Sequence, residues 1–433
     1  MLRDVLAGLT VSFVAISLGA AFGILSGRGA FAGMVSAGLI AVITSLLGGT
    51  RVQCSGPTAP MTALSAVVVA YAGDQLLARM PQADPSQFIN LVLVLTGVLL
   101  VGAAVLRLGR YVRLVPHLVV SGFMTGIAVL IWVDQVNRIL GVGGKVALEG
   151  SKAVNSLIAV VTFVLVLGLP GLLRKALPKV AVFLPSTLIS IVAVSIVVMA
   201  SGVRVQTIEL SGALDSLAGM GELVSGNLPR GWSLSLVGLA LPFAFQLAML
   251  GYLDSLLTSL VVDRMTGERT DRERELAAQG LANSAVAFVG GIPGAQATIR
   301  SVLIVKEGAT LRLSGVLVGV FVLLELAVFR DLIAFIPSAV FAGLLFKVGY
   351  DVFDWPPLID FVKARFATVA RAVAADAAPG AFQLVFIGLT AATTVLWNLN
   401  VAVVGFTLLF YALRAGGHLF DLAGDLTESE HGD

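Results

Sequence analysis

Two segments of this chain, 236 residues apart, interrupt its apolar pattern in the same way. The first reads Gly56-Pro57-Thr58-Ala59-Pro60-Met61-Thr62-Ala63-Leu64-Ser65, the second Ile292-Pro293-Gly294-Ala295-Gln296-Ala297-Thr298-Ile299-Arg300-Ser301. Pro57, Ala59, Thr62 and Ser65 fall on Pro293, Ala295, Thr298 and Ser301, and a short apolar run follows each set. Glycine and proline delay the helix, so each run becomes helical only partway along. In a membrane chain, matched Gly/Pro-broken segments in two halves point to a transport site.

Composition makes this a membrane chain. It is 58% hydrophobic and 12% charged, against about 25% charged in a soluble domain. A span takes roughly 20 apolar residues. Apolar segments run over 5–26, 30–47, 57–72, 88–106, 116–137, 153–173 and 184–201, then 235–262, 275–289, 295–305, 313–329, 337–350, 380–397 and 399–413. The expectation is an all-α integral membrane protein of 14 transmembrane segments, arranged as a 7+7 inverted repeat. Residues 1–202 form the first repeat and 203–232 an extracellular or periplasmic loop. Residues 233–415 form the second repeat and 416–433 a short cytoplasmic tail. Pro116-His117-Leu118-Val119-Val120-Ser121-Gly122 matches Pro337-Ser338-Ala339-Val340-Phe341-Ala342-Gly343 at Pro, Val and Gly, in the corresponding fifth segments.

An odd number of spans per half inverts the second half. With the N-terminus inside, 18 Lys and Arg fall at cytoplasmic positions and 8 outside. That excess sets the orientation. Both termini are expected in the cytoplasm, in the inner (plasma) membrane.

Segments three and ten are therefore half-helices whose N-termini face each other near the midplane. Each N-terminus carries roughly +0.5 charge and free N–H donors. Arg300 adds a full positive charge, and Thr62 and Thr298 offer hydroxyls. The combination suits a small anion. Each feature also has a structural reading: the hydroxyls as helix–helix contacts, and Arg300 as a partner of Glu325. In segment eight, Asp254 and Thr258 stand at i and i+4, on one helix face. A carboxylate and a hydroxyl there can hold Na⁺, or the carboxylate alone a proton. The alternative is an Asp254 held by hydroxyls or by Arg300.

Other classes are poorly served. Three histidines and one cysteine, Cys54, leave no His-rich metal centre and no internal disulfide. Neither a basic tract for nucleic acid nor a nucleophile–base pair for catalysis is present, so no enzyme is expected. No cofactor is expected beyond Na⁺ as a coupling ion. Lys363, Arg365 and Arg371 beside Phe361, Phe366 and Val369 suit a helix at the lipid surface.

At Gln53-Cys54-Ser55-Gly56-Pro57-Thr58-Ala59-Pro60-Met61-Thr62 the chain resembles the SulP family, solute carrier family 26. The resemblance continues through Pro116–Gly126, Leu253–Ser259, Gly290–Ser301 and Lys347–Trp355. It implies core and gate domains, a homodimer, and transport of bicarbonate, sulfate, chloride, oxalate or dicarboxylates. It places the anion at Phe22, Thr62, Ala63, Ala297, Thr298, Ile299 and Arg300. Asp254 and Thr258 match the cation-coupling positions of bicarbonate-type bacterial members. Two departures stand out. Ser17-Leu18 occupies the place of the family's Pro, often followed by Gln, in segment one, which weakens sulfate-type recognition. The STAS domain that usually follows the last span is expected to be missing. The leading expectation is a cation-coupled symporter of a small anion. An uncoupled exchanger or channel and a nucleobase permease are the alternatives.

Overall fold

Apolar runs bounded by Gly and Pro become helices in the computed structural model, which describes residues 1–114, 116–143, 147–176, 186–207, 217–329, 334–366, 381–397 and 399–415. The elements of the first half are α1 (Leu2–Ser26), α2 (Ala30–Leu47), β1 (Ser55–Gly56), α3 (Ala59–Asp74), α4 (Leu76–Arg79) and α5 (Pro85–Val105). A 3₁₀ turn (Leu108–Leu114), α6 (His117–Leu140), α7 (Lys152–Ala176) and α8 (Ser186–Ala200) complete it. Within the connecting stretch lies α9 (Leu217–Asn227), a helix not expected there. The second half holds α10 (Leu234–Thr266), α11 (Arg272–Ala287), β2 (Ala295–Gln296), α12 (Thr298–Lys306), α13 (Arg312–Val328) and α14 (Ser338–Val352). It ends with α15 (Trp355–Phe366), α16 (Ala381–Leu396) and α17 (Leu399–Ala415).

Each of the fourteen apolar segments thus coincides with a helix. Among the described residues, α1, α2, α5, α6, α7 and α10 are long and apolar enough to cross a membrane. Phe361, Lys363, Arg365 and Phe366 fall on α15. Arg371, Val369, the tail 416–433 and positions 208–216 of the connecting stretch lie outside the described residues.

The chain divides into two compact units that cut across the sequence halves: 1–112 with 134–347, and 113–133 with 348–433. In the first, α2 packs on α13 and α5 on α11, while α1 lies against α2, α3 and α13. Glycine permits the closest crossings. A Cβ on Gly97 of α5 would stand 2.3 Å from the Gly280 carbonyl of α11, and one on Gly280 2.5 Å from the Gly97 carbonyl. Between α2 and α13, a Cβ on Gly319 would stand 2.4 Å from the Gly38 carbonyl. Second and eleventh segments therefore meet as fourth and ninth do. In the second unit, Trp132 stacks on Phe353 at 5.7 Å between ring centroids.

Candidate functional site

The two broken segments meet each other. β1 and β2 pair antiparallel, Ser55 opposite Gln296 and Gly56 opposite Ala295. The ladder continues where the Ala297 N–H donates to the Cys54 carbonyl at 3.2 Å. Ser301 Oγ, from the first turns of α12, accepts from the Cys54 N–H at 3.2 Å. Extended backbone within an apolar bundle must satisfy its polar groups inside the protein, and here each half supplies partners to the other.

From this ladder the two half-helices depart. With sixteen residues, α3 spans ~24 Å at 1.5 Å per residue. With nine, α12 spans ~14 Å, well short of a ~30 Å hydrocarbon core. The tenth segment is shorter than its apolar run because Ala295 and Gln296 belong to β2. Neither half-helix has a side-chain cap: Thr58 precedes α3 and Ala297 precedes α12 without capping bonds. By contrast, Asp84, Ser233 and Asp271 cap α5, α10 and α11. The N–H groups at the two helix starts are left for another acceptor.

The repeat register differs from the one the residues suggest. Thr298 is the first residue of α12, whereas Thr62 is the fourth of α3. The two threonines differ by about one turn and are not equivalent positions. Thr62 is buried and its hydroxyl has no partner. Thr298 is half-buried and shares a 2.6 Å hydrogen bond with Thr258.

Arg300 is 1% exposed, the largest fully buried side chain among the described residues. Its Nη2 donates to the Pro57 carbonyl at 2.8 Å, while Nε and Nη1 have no partner. It makes no ion pair with Glu325, whose carboxylate bonds Ser12 instead. The guanidinium lies flat against Gly56: a Cβ there would stand 2.8 Å from Nη1 and 3.0 Å from Nη2. The glycine of the first segment therefore makes room for the arginine of the second.

Asp254 and Thr258 serve both helix starts from one face of α10. Asp254 is 9% exposed and lies beside Thr58, just ahead of α3, and within electrostatic range of Arg300. Neither Asp254 Oδ2 nor Thr58 Oγ1 has a well-formed hydrogen bond. One turn on, Thr258 reaches the start of α12. A buried carboxylate oxygen without a donor, near hydroxyl oxygens, fits a hard monovalent cation. Among the described residues no cluster of three or more His, Cys, Asp and Glu forms a metal site.

The remaining expected residues are spread around this centre. Phe22 is 4% exposed, on the helix that packs against both α3 and α12. Ala297 is buried and Ala63 half-buried. Ile299 is 47% exposed, which separates it from the buried group.

Sequence reasoning missed the support behind the ladder. Glu275 on α11 is fully buried. It accepts from the Thr50 N–H, Gln53 Nε2 and Gln279 Nε2 at 3.0, 3.0 and 2.9 Å. Gln279 also donates to Ser55 of β1 at 2.8 Å. Asn283 clamps Gly294 by both its N–H and its carbonyl, each at 2.9 Å. Gln296 of β2 accepts from Ser259 at 2.7 Å. Glu275, Gln279 and Asn283 recur every four residues, one polar stripe on a helix face, a signal present in the sequence.

The sequence profile of the sulfate permease family matches residues 1–374. Bicarbonate transporter BicA of Picosynechococcus sp. is 34% identical over 368 residues, covering 81% of this chain and 62% of that protein. BicA of Synechocystis sp. is 32% identical over 371 residues, covering 81% and 61%. The chain thus spans about three fifths of the length of these curated relatives. Among solved structures, the transmembrane domain of a cyanobacterial BicA superposes with a TM-score of 0.76 at 28% identity, covering 93% of this chain and 97% of that one.

Proposed function

The chain belongs to the sulfate permease (SulP/SLC26) family, and we propose that it is a secondary transporter carrying a small anion by alternating access, with bicarbonate as the first candidate. Sulfate and dicarboxylates are the next candidates. The observation that carries this reading is Arg300. It is a buried cation with two unpartnered guanidinium nitrogens, beside two uncapped half-helix starts. A charge at membrane depth costs at least ~2.5 kcal/mol unless something compensates it. An anion supplies that compensation; a neutral nucleobase does not. Bicarbonate comes first because two relatives above 30% identity are named bicarbonate transporters.

Coupling to Na⁺, ahead of H⁺, belongs to the same reading. A cation on Asp254 and Thr258 keeps the carboxylate from cancelling the pull of Arg300 on the substrate. The fourteen-span inverted repeat is supported by the equivalent crossings of α2 on α13 and α5 on α11, and by the antiparallel ladder. Both termini in the cytoplasm of a plasma-membrane homodimer complete the proposal.

Proteoliposome uptake of radiolabelled bicarbonate, sulfate and fumarate, with and without Na⁺, tests it. Bicarbonate uptake driven by a Na⁺ gradient is expected. Arg300→Ala should weaken anion affinity more than tenfold, above about 1.4 kcal/mol, in a protein that still elutes as a folded species. Uptake indifferent to both Na⁺ and pH gradients would replace the symporter with an exchanger. Unchanged affinity in Arg300→Ala would remove that residue from the site.

A further inference from the structure

Another buried carboxyl lies away from the half-helix starts. Elements α1, α2, α8, α13 and α14 line a half-open cavity of about 540 Å³, buried on its inner side at Met34 and Phe341 and exposed at Ile196 and Phe335. That volume falls in the ~300–1,000 Å³ range of small-molecule pockets. Its wall is almost wholly apolar, with Phe13, Met34, Ile196, Phe335 and Phe341 among its residues. Glu325 of α13 lines it, 6% exposed.

The donors around Glu325 are too few. Its Oε1 meets the Ser12 hydroxyl at 2.5 Å, but that hydroxyl also lies 2.7 Å from the Leu9 carbonyl. One hydroxyl proton serves one acceptor at a time. Oε2 is buried with no partner. The cavity's two serines do not help: Ser17 donates to the Phe13 carbonyl and Ser195 to the Ile191 carbonyl, each at 2.8 Å. No ion pair to Glu325 is found among the described residues. An isolated carboxylate in an apolar wall is costly, and a ligand ammonium relieves that cost with a charge-assisted hydrogen bond.

We propose that this cavity is a binding site for a lipid-soluble monoamine, its ammonium on Glu325 and its apolar body among the aromatic and aliphatic side chains. The carboxyl sets the charge of the ligand. The wall, lacking other free polar groups, requires the rest of it to be apolar. The site is separate from the anion site: Phe22 is two residues beyond Ala20 of the cavity wall, and residues two apart on a helix do not share a face.

The test compares dodecylamine with dodecanol as probes of heat stability in detergent, which reads binding without transport. Its failure therefore leaves the anion reading standing, and failure of that reading leaves this site standing. Dodecylamine should raise the Tm of the unmodified protein by several degrees more than dodecanol. Glu325→Gln, which keeps an acceptor for Ser12, should abolish that difference. Ile196→Trp, which places a bulky ring at the open side of the cavity and leaves the carboxyl in place, should abolish it too, and stands as the test if Glu325→Gln does not fold. Equal shifts from amine and alcohol, or a difference retained in the variants, overturn the proposal.

Discussion

The two sides of the β1–β2 ladder differ in how their polar groups are satisfied. Behind it, Glu275, Gln53, Gln279, Asn283 and Ser55 bond one another and the broken backbone. Its loose ends are single amide atoms of Gln279 and Gln296. In front, Arg300, Asp254, Thr58 and Thr62 are equally buried but keep unpartnered atoms. Burial alone does not distinguish scaffold from site. A saturated network rigidifies, whereas orphaned donors and acceptors held at fixed positions are prepared for ligands that arrive later.

Breaking the rear side should do the most damage. Glu275→Ala leaves the donors of Thr50, Gln53 and Gln279 without their acceptor, at ~1–3 kcal/mol for each unsatisfied group. The expected outcome is loss of the monodisperse peak in size-exclusion chromatography, or a melting temperature lowered by well over ten degrees. A variant as stable as the parent would show that the rear network is not the scaffold.

Substitutions in front should spare the fold and alter transport. Asp254→Asn is expected to melt no lower than the parent while uptake loses its response to Na⁺. A sodium dependence that survives this change would move the coupling site elsewhere. Thr258→Val is the mildest case. It removes one oxygen ligand and the bond to Thr298, and should raise the half-saturating Na⁺ concentration several-fold. If cation and anion are coupled as proposed, each raises the other's affinity by the same factor, and the apparent anion affinity of this variant should fall at subsaturating Na⁺.

The sequence carried most of the fold because lipid leaves few options. Segment two has the bounds of α2, since Gly29 and Gly48 flank an unbroken apolar run. The two broken segments were legible as a pair, and their register was misread by a turn. Pro57 stands two residues ahead of α3, but Pro293 stands five ahead of α12. Matching the prolines therefore aligned threonines at different helix positions. Arg300 and Asp254 were legible as charges out of place. That Arg300 turns to the Pro57 carbonyl rather than to Glu325 depends on how α13 rotates in the bundle, which no local pattern records. Glu275 was overlooked because hydropathy averages away a polar residue at the mouth of an apolar run, whereas its four-residue spacing to Gln279 and Asn283 would have exposed it.

The ladder between Ser55–Gly56 and Ala295–Gln296 is expected to hold the halves together without peptide continuity between them. The candidate site is stitched by backbone bonds from one half to the other, and α2–α13 and α5–α11 interlock around it. A gene divided within 208–216 should therefore yield two polypeptides that find each other in the membrane and co-purify on a tag carried by one. Neither fragment alone should accumulate, since each would present half a zipper, its backbone donors and acceptors open to lipid. Inheritance of such a protein as two genes would then be physically permissible, and its present single chain a matter of stoichiometry rather than of architecture.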